Sequence, residues 1–197
     1  HQILPPHPYR INGTLIEYTS FQRDLGVLFT HNLNLSTHYT QIIKKANSAS
    51  WQVLKSFTSG RPKTIAAAFT IYVRPILETF SQVWNPINRA DIKALERVQR
   101  RFTMFLFYKS GLPKTTYEAR LQFLGLKKLE SRRKHLDLTL AHELFHDTSQ
   151  LSEQLLKRHV PHRSVRHQSR LDSERDSSGP RSSFITNRVP PWWNTIP

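Results

Sequence analysis

The sequence predicts a mainly α-helical protein: a helical bundle preceded by a small β-hairpin segment and followed by a partly disordered C-terminal tail. Three observations predict it. Apolar residues recur at three- and four-residue steps over several long stretches, as one buried helical stripe requires. Near the start, an Asn12-Gly13 pair stands between short alternating runs, the signature of a tight hairpin. From residue 159 to 183, Arg, His, Ser and Asp displace almost all aliphatic residues.

The elements follow in order. Residues 1–8 are a Pro/His-rich lead-in, and "YRINGTLIEY" is the hairpin, because Asn and Gly both tolerate the positive φ of a type I′ turn. "RDLGVLF" (23–29) reads as a third strand, and so thin a sheet needs something to pack on. Ser36 is the expected N-cap of a first helix over 37–58, striped by Tyr39, Ile42, Ala46, Val53 and Leu54. A second helix is expected over 63–84 and should kink or split at Pro75, which has no N–H to donate. Asn88 should cap a third over 89–107, with Asp91 favourable in its first turn. A short helix from about Thr115 should stop at Gly125, a natural C′ residue, before a last helix over 127–147. The domain boundaries are therefore 1–35 (hairpin segment), 36–158 (helical domain), 159–183 (linker) and 184–197 (apolar C-terminal motif). The linker holds too few apolar residues to offset chain entropy and reads as disordered. The final motif can dock back.

Charge narrows the function. The 197 residues contain 29 Lys+Arg against 14 Asp+Glu, a formal +15. Such an excess points to a polyanionic partner. Nucleic acid is favoured over a membrane, because no stretch is apolar for the length of a bilayer. With no cysteine, disulfide frameworks, thiolate zinc sites and thiol nucleophiles are excluded. The start carries no apolar signal-peptide core, and an intracellular location, nuclear or cytoplasmic, is favoured. The first residue is His1 rather than Met, and the chain is read as a piece of something longer.

The positive charge is concentrated. Residues 93–134 hold 12 Lys/Arg and 3 Asp/Glu, which is +9 of the +15. In the third helix Lys93, Arg97, Arg100 and Arg101 fall within an arc of about 100°, apart from the apolar arc, with only Glu96 at the edge. A merely solvated face usually mixes signs. Cations gathered this way neutralise phosphates and release counterions, giving affinity without base reading. Arg132, Arg133 and Lys134 form a second candidate set, and Lys44 and Lys45 a weaker one. "HELFH" (142–146) matches the HExxH zinc pattern, which would make His142 and His146 ligands and Glu143 a base. A third ligand is hard to find, and the residues around it mark a core-facing helix, so an incidental pair is the preferred reading. No Gly-rich phosphate loop, G-x-S-x-G elbow or adjacent Asp-Asp pair occurs.

Taken together and in order, "YRINGTLIEYTSFQRDLGVLF", "STHYTQIIKKANSASWQVLKSF", "YVRPILETFSQVWNP", "ALERVQRRFTMFLF", "RLQFLGLKKLESRRKHLDL" and "RVPPWWNTIP" resemble stretches of the reverse transcriptases of non-LTR (LINE, jockey-like) retrotransposons. The first resembles the segment after the catalytic palm, and the second the helix that follows. The next three resemble later motifs, and the last the closing Trp-Asn-x-x-Pro element. The resemblance implies a polymerase thumb and C-terminal region. Its partners would be the backbone of RNA, DNA or their hybrid, and the palm that lies upstream. The Asp-Asp box and the Mg²⁺ it binds belong to that palm, so no catalytic residue and no cofactor is carried onto this chain. The alternatives are a zinc-dependent hydrolase through residues 142–146 and a non-functional retroelement relic.

Overall fold

A computed structural model of the chain describes residues 9–58, 60–147, 149, 152, 155–158, 170–173 and 184–196. The fold is mainly helical, with two small antiparallel strand pairs ahead of the helices.

Strands β1 (Arg10–Ile11) and β2 (Thr14–Leu15) pair across the Asn12-Gly13 turn, where φ is 47° and 81°. Residues 23–29 do not make one strand. They hold a second hairpin, β3 (Phe21–Asp24) and β4 (Val27–Thr30), turned at Leu25-Gly26 with φ of 44° and 88°. The single glycine inside an apolar run marks that turn. The two pairs form separate sheets rather than one three-stranded sheet.

Helix α1 (Ser36–Ser56) starts one residue earlier than expected: Ser36 is its first residue rather than its cap, and Asn34 Oδ1 accepts the Ser36 N–H at 2.9 Å. Pro75 splits the second helical stretch into α2 (Pro62–Tyr72), a 3₁₀ turn (Arg74–Leu77) and α3 (Ser81–Trp84). Helix α4 (Arg89–Lys109) is capped by Asn88, whose Oδ1 accepts from Ala90 N at 2.9 Å. Helix α5 (Tyr117–Leu124) ends on Gly125 at φ 69°, and α6 spans Leu129–His146.

The main core gathers Tyr39, Ile42, Ala46, Val53 and Leu54 of α1 with Ile65 and Phe69 of α2, Trp84, and Leu95, Val98, Phe102 and Leu106 of α4. Phe69 and Phe102 stack at 4.3 Å between centroids. At the C-terminal end of α1, Lys109 Nζ donates to the Leu54 carbonyl, which places a cation against the negative pole of the helix.

The C-terminal motif docks on α6. Val189, Ile185 and Trp193 pack with Leu138, Ala141, Leu144 and Phe145 in a second apolar cluster. Of the interval 159–183, expected to be disordered, residues 159–169 and 174–183 lie outside the described residues. Residues 170–173 are described, and there Leu171 is buried and pairs with Arg158.

Candidate nucleic-acid interface

Leu95, Val98, Phe102 and Leu106 of the α4 apolar stripe are buried, while Phe105, expected with them, is exposed; the opposite side of the helix is left to solvent. Lys93, Arg97, Arg100 and Arg101 all lie there and are exposed. Among the described residues none of the four forms an ion pair. Three of them, Lys93, Arg97 and Arg100, line a groove of about 400 Å³ together with Arg89, Ile92, Glu96, Tyr117, Lys128 and Glu130. Arg101 stands outside this lining. The groove holds five cations against two carboxylates, a net +3.

Glu96 sits in the groove wall but its oxygens are engaged. Tyr117 Oη donates to Oε1, while the N–H groups of Leu129 and Glu130 donate to Oε2 at 2.9 and 3.3 Å. A carboxylate at the first amides of α6 satisfies orphan donors and meets the positive pole of that helix. Gln99 Nε2, fully buried, donates to Tyr117 Oη at 2.9 Å and to the Lys127 carbonyl at 3.0 Å. Burial, and then the hydrogen bond to Glu96, push the Tyr117 phenol well up, so it stays a donor. The Arg100 guanidinium lies 4.6 Å from the centre of the Tyr117 ring, a cation–π contact that holds it along the groove.

The second candidate set divides. Arg132 forks onto Glu78, with Nε to Oε1 at 2.6 Å and Nη2 to Oε2 at 3.0 Å; that pairing raises its pKa. It joins α6 to the turn before α3. Arg133 is a correction: it is 0% exposed and cannot meet a phosphate. Its Nε donates to Asn85 Oδ1 at 3.1 Å, and its two Nη atoms have no hydrogen-bond partner among the described residues. Burial lowers its pKa, and the field of Glu96, Glu130, Glu78 and Asp137 opposes that shift. Lys134 is exposed, with Nζ 5.0 Å from the Trp192 ring centre. The physical reason for the division is geometric: three consecutive helical residues point 100° apart and cannot share a face.

Other cations of the basic stretch are also structural. Arg120 is buried and donates to Thr103 Oγ1 at 3.2 Å and to the Thr115 carbonyl at 2.7 Å. Lys128 pairs with Glu118 at 3.1 Å, though it still lines the groove. Lys44 and Lys45, exposed on α1, do not reach the α4 groove; they line a separate cavity beside the β3–β4 hairpin. Sequence reading missed Arg89, which continues the Lys93–Arg97 ridge four residues earlier. It also missed Lys128, and only tertiary packing brings Lys128 and Tyr117 to the groove.

In the HExxH stretch, His142 and His146 are exposed, with ring centres 4.4 Å apart. Among the described residues no group of three or more His, Asp or Glu gathers where a metal ion could be held; Glu153 and Glu174, the candidate third ligands nearest in sequence, lie outside the described residues. No helix among the described residues is long and apolar enough to cross a membrane.

No protein-family model matches the chain, and no solved structure matches it. An uncharacterized protein of Caenorhabditis elegans is similar, at 24% identity over 110 residues that make up 56% of this chain and 56% of the relative. The chain thus spans about half the length of the curated relative it matches.

Proposed function

We propose that the chain is a nucleic-acid-binding module that holds a sugar-phosphate backbone along α4 without reading base sequence. The observation that carries this is one ridge: Arg89, Lys93, Arg97 and Arg100, exposed, without ion pairs among the described residues, and following one another at helical spacing. The ridge is about 16 Å long at 1.5 Å per residue. A strand that carries one charge per roughly 3.4 Å of axis would set four or five phosphates against it. Engagement of Glu96 by α6 and Tyr117 leaves that side of the groove electropositive, and Arg100 is held in place before any ligand arrives.

Within that reading the chain is the thumb and C-terminal portion of a non-LTR reverse transcriptase. What supports this is the ordered set of sequence resemblances together with a mainly helical fold and a cationic ridge. The ligand is then the template–primer backbone, as RNA, DNA or hybrid. On this reading the polymerisation chemistry, with its Mg²⁺ and clustered carboxylates, belongs to a palm rather than to the described residues. No residue here acts as a catalyst, and the chain alone does not polymerise.

The test is a salt titration of binding to an RNA–DNA hybrid duplex. With four or five phosphates engaged, log K falls with log[salt] at a slope of roughly −4. Changing Arg97, Arg100 and Arg101 together to Ala reduces that slope by about 2 to 3 and weakens binding for all sequences alike. Unchanged affinity and slope in a folded triple variant would overturn the proposal.

A further inference from the structure

Lys44 and Lys45 belong to a different cavity from the α4 ridge. With Arg23 they line a space of about 470 Å³ between α1, the Leu25-Gly26 turn and residues Ile76, Thr79 and Phe80. Among the described residues its lining contains three cations and no carboxylate. A volume near 470 Å³ falls in the range of pockets that hold small ligands.

Two further features mark this cavity. Arg23 is fixed in direction, with Nη2 donating to Gln41 Oε1 at 2.7 Å and Nη1 to the Gly26 carbonyl at 3.2 Å. His38, 3% exposed, is part of the wall. Leu28 N–H donates to its Nδ1 at 3.3 Å, so the neutral ring carries its proton on Nε2, which has no acceptor among the described residues. Burial, then the charge of Arg23, lower the His38 pKa and keep the ring neutral at pH 7.

The second feature is Phe80. Its backbone lies at φ 54° and ψ 26°, a left-handed conformation that a bulky side chain rarely adopts. The turn around it is locked by Ser81 N–H to the Glu78 carbonyl and by Trp84 Nε1–H to the Thr79 carbonyl, at 2.9 and 2.8 Å. Leu25 shares the positive φ, but a two-residue hairpin turn requires it there. No hairpin explains Phe80. Strained residues of this kind concentrate at ligand sites. The result is an aromatic ring that lines a cationic cavity and is still 44% exposed.

We propose that this cavity binds a nucleotide: Arg23, Lys44 and Lys45 hold its phosphate, and the Phe80 ring supports its base. The ligand is a phosphate monoester with a planar base attached, which a free nucleotide or the 5′-phosphorylated end of a nucleic-acid strand can supply. The inference does not rest on the α4 reading.

Calorimetric titration of the full chain with AMP, adenosine and inorganic phosphate tests it. AMP is expected to bind at least tenfold more tightly than either part alone. Lys44→Glu with Lys45→Glu should weaken AMP and phosphate at least tenfold; both lysines are exposed, and circular dichroism checks that the fold survives. Phe80→Gly should weaken AMP about fivefold and leave phosphate unchanged. Its melting temperature should hold or rise, because Gly accepts the positive φ. The Arg97, Arg100 and Arg101 triple variant should bind AMP as the parent does, which separates this site from the α4 ridge. A 5′-phosphorylated trinucleotide that binds more tightly than AMP and than its 5′-hydroxyl form assigns a strand end; equal or weaker binding assigns the free nucleotide. AMP binding no tighter than phosphate, or a folded charge-reversal variant within twofold of the parent, overturns the proposal.

Discussion

Arg188 donates from Nε and Nη2 to the two carboxylate oxygens of Asp137, each at 2.8 Å. Both side chains are buried, 51 residues apart in sequence. Asn85 Nδ2 adds a 2.7 Å bond to Asp137 Oδ2, and Arg188 Nη2 also donates to the Gln82 carbonyl. One carboxylate thereby joins α3, α6 and the C-terminal motif.

Asp137→Ala should therefore destabilise by about 3–5 kcal/mol, the usual cost of leaving a buried partner charge uncompensated. Asp137→Asn should lose a smaller share, since it keeps the shape and one acceptor. Urea unfolding of both variants measures this; a loss under 1 kcal/mol for the alanine variant would show that the pair does not hold the motif.

Glu96→Gln should move stability and binding in opposite directions. Losing the charge at the N-terminus of α6 and on Tyr117 should cost about 1–2 kcal/mol. The groove would meanwhile gain one positive charge, and affinity for a hybrid duplex should rise. Denaturant unfolding and a binding titration at one salt concentration read the two effects.

His38 predicts a pH dependence. Its folded pKa lies below its ordinary 6.5, chiefly through burial. Below that pH the unfolded chain therefore binds more protons than the folded one, so stability rises with pH. The contribution is present at pH 7 and is lost as pH falls through 6.5 toward the folded value. Urea midpoints at pH 7 and pH 5 should differ in that direction, and His38→Gln should shrink the difference. At the alkaline end Tyr39, pushed up to about 12 mainly by burial, adds stability that fades as pH rises above 10.

Gly125→Ala isolates backbone conformation. A Cβ there would meet nothing within 4 Å, so no clash contributes. The φ of 69° alone should cost about 1 kcal/mol. Gly125→Asn should cost less, because Asn tolerates the left-handed region. Thermal melts of the pair test the ordering.

Much of the fold was legible because it is written in local periodicity. The α4 stripe, the Asn88 cap, the break at Pro75 and the stop at Gly125 each follow from a few neighbouring residues. The second hairpin was missed because Leu25, unlike Asn12, gives no sign that it will take a positive φ. The candidate site was half legible. The α4 cations stand on a face whose opposite side is plainly apolar, so their exposure could be read. In α6 the buried line is Leu129, Arg133, Asp137 and Ala141, each four residues from the next and each 0% exposed. That spacing was visible, but two charged residues in the middle concealed it. Only Asn85 and Arg188, remote in sequence, explain why these charges can be inside.

The same cluster sets an order of events during synthesis. Asp137 and Asn85 leave the ribosome well before Arg188, the residue that completes their bonding. Until then α6 holds a buried carboxylate with part of its counter-charge missing, and Leu138, Ala141 and Phe145 lack the cover that Ile185, Val189 and Trp193 later provide. A nascent chain halted anywhere in that interval would expose this surface, and chaperone capture should be strongest there and cease once residue 193 has emerged.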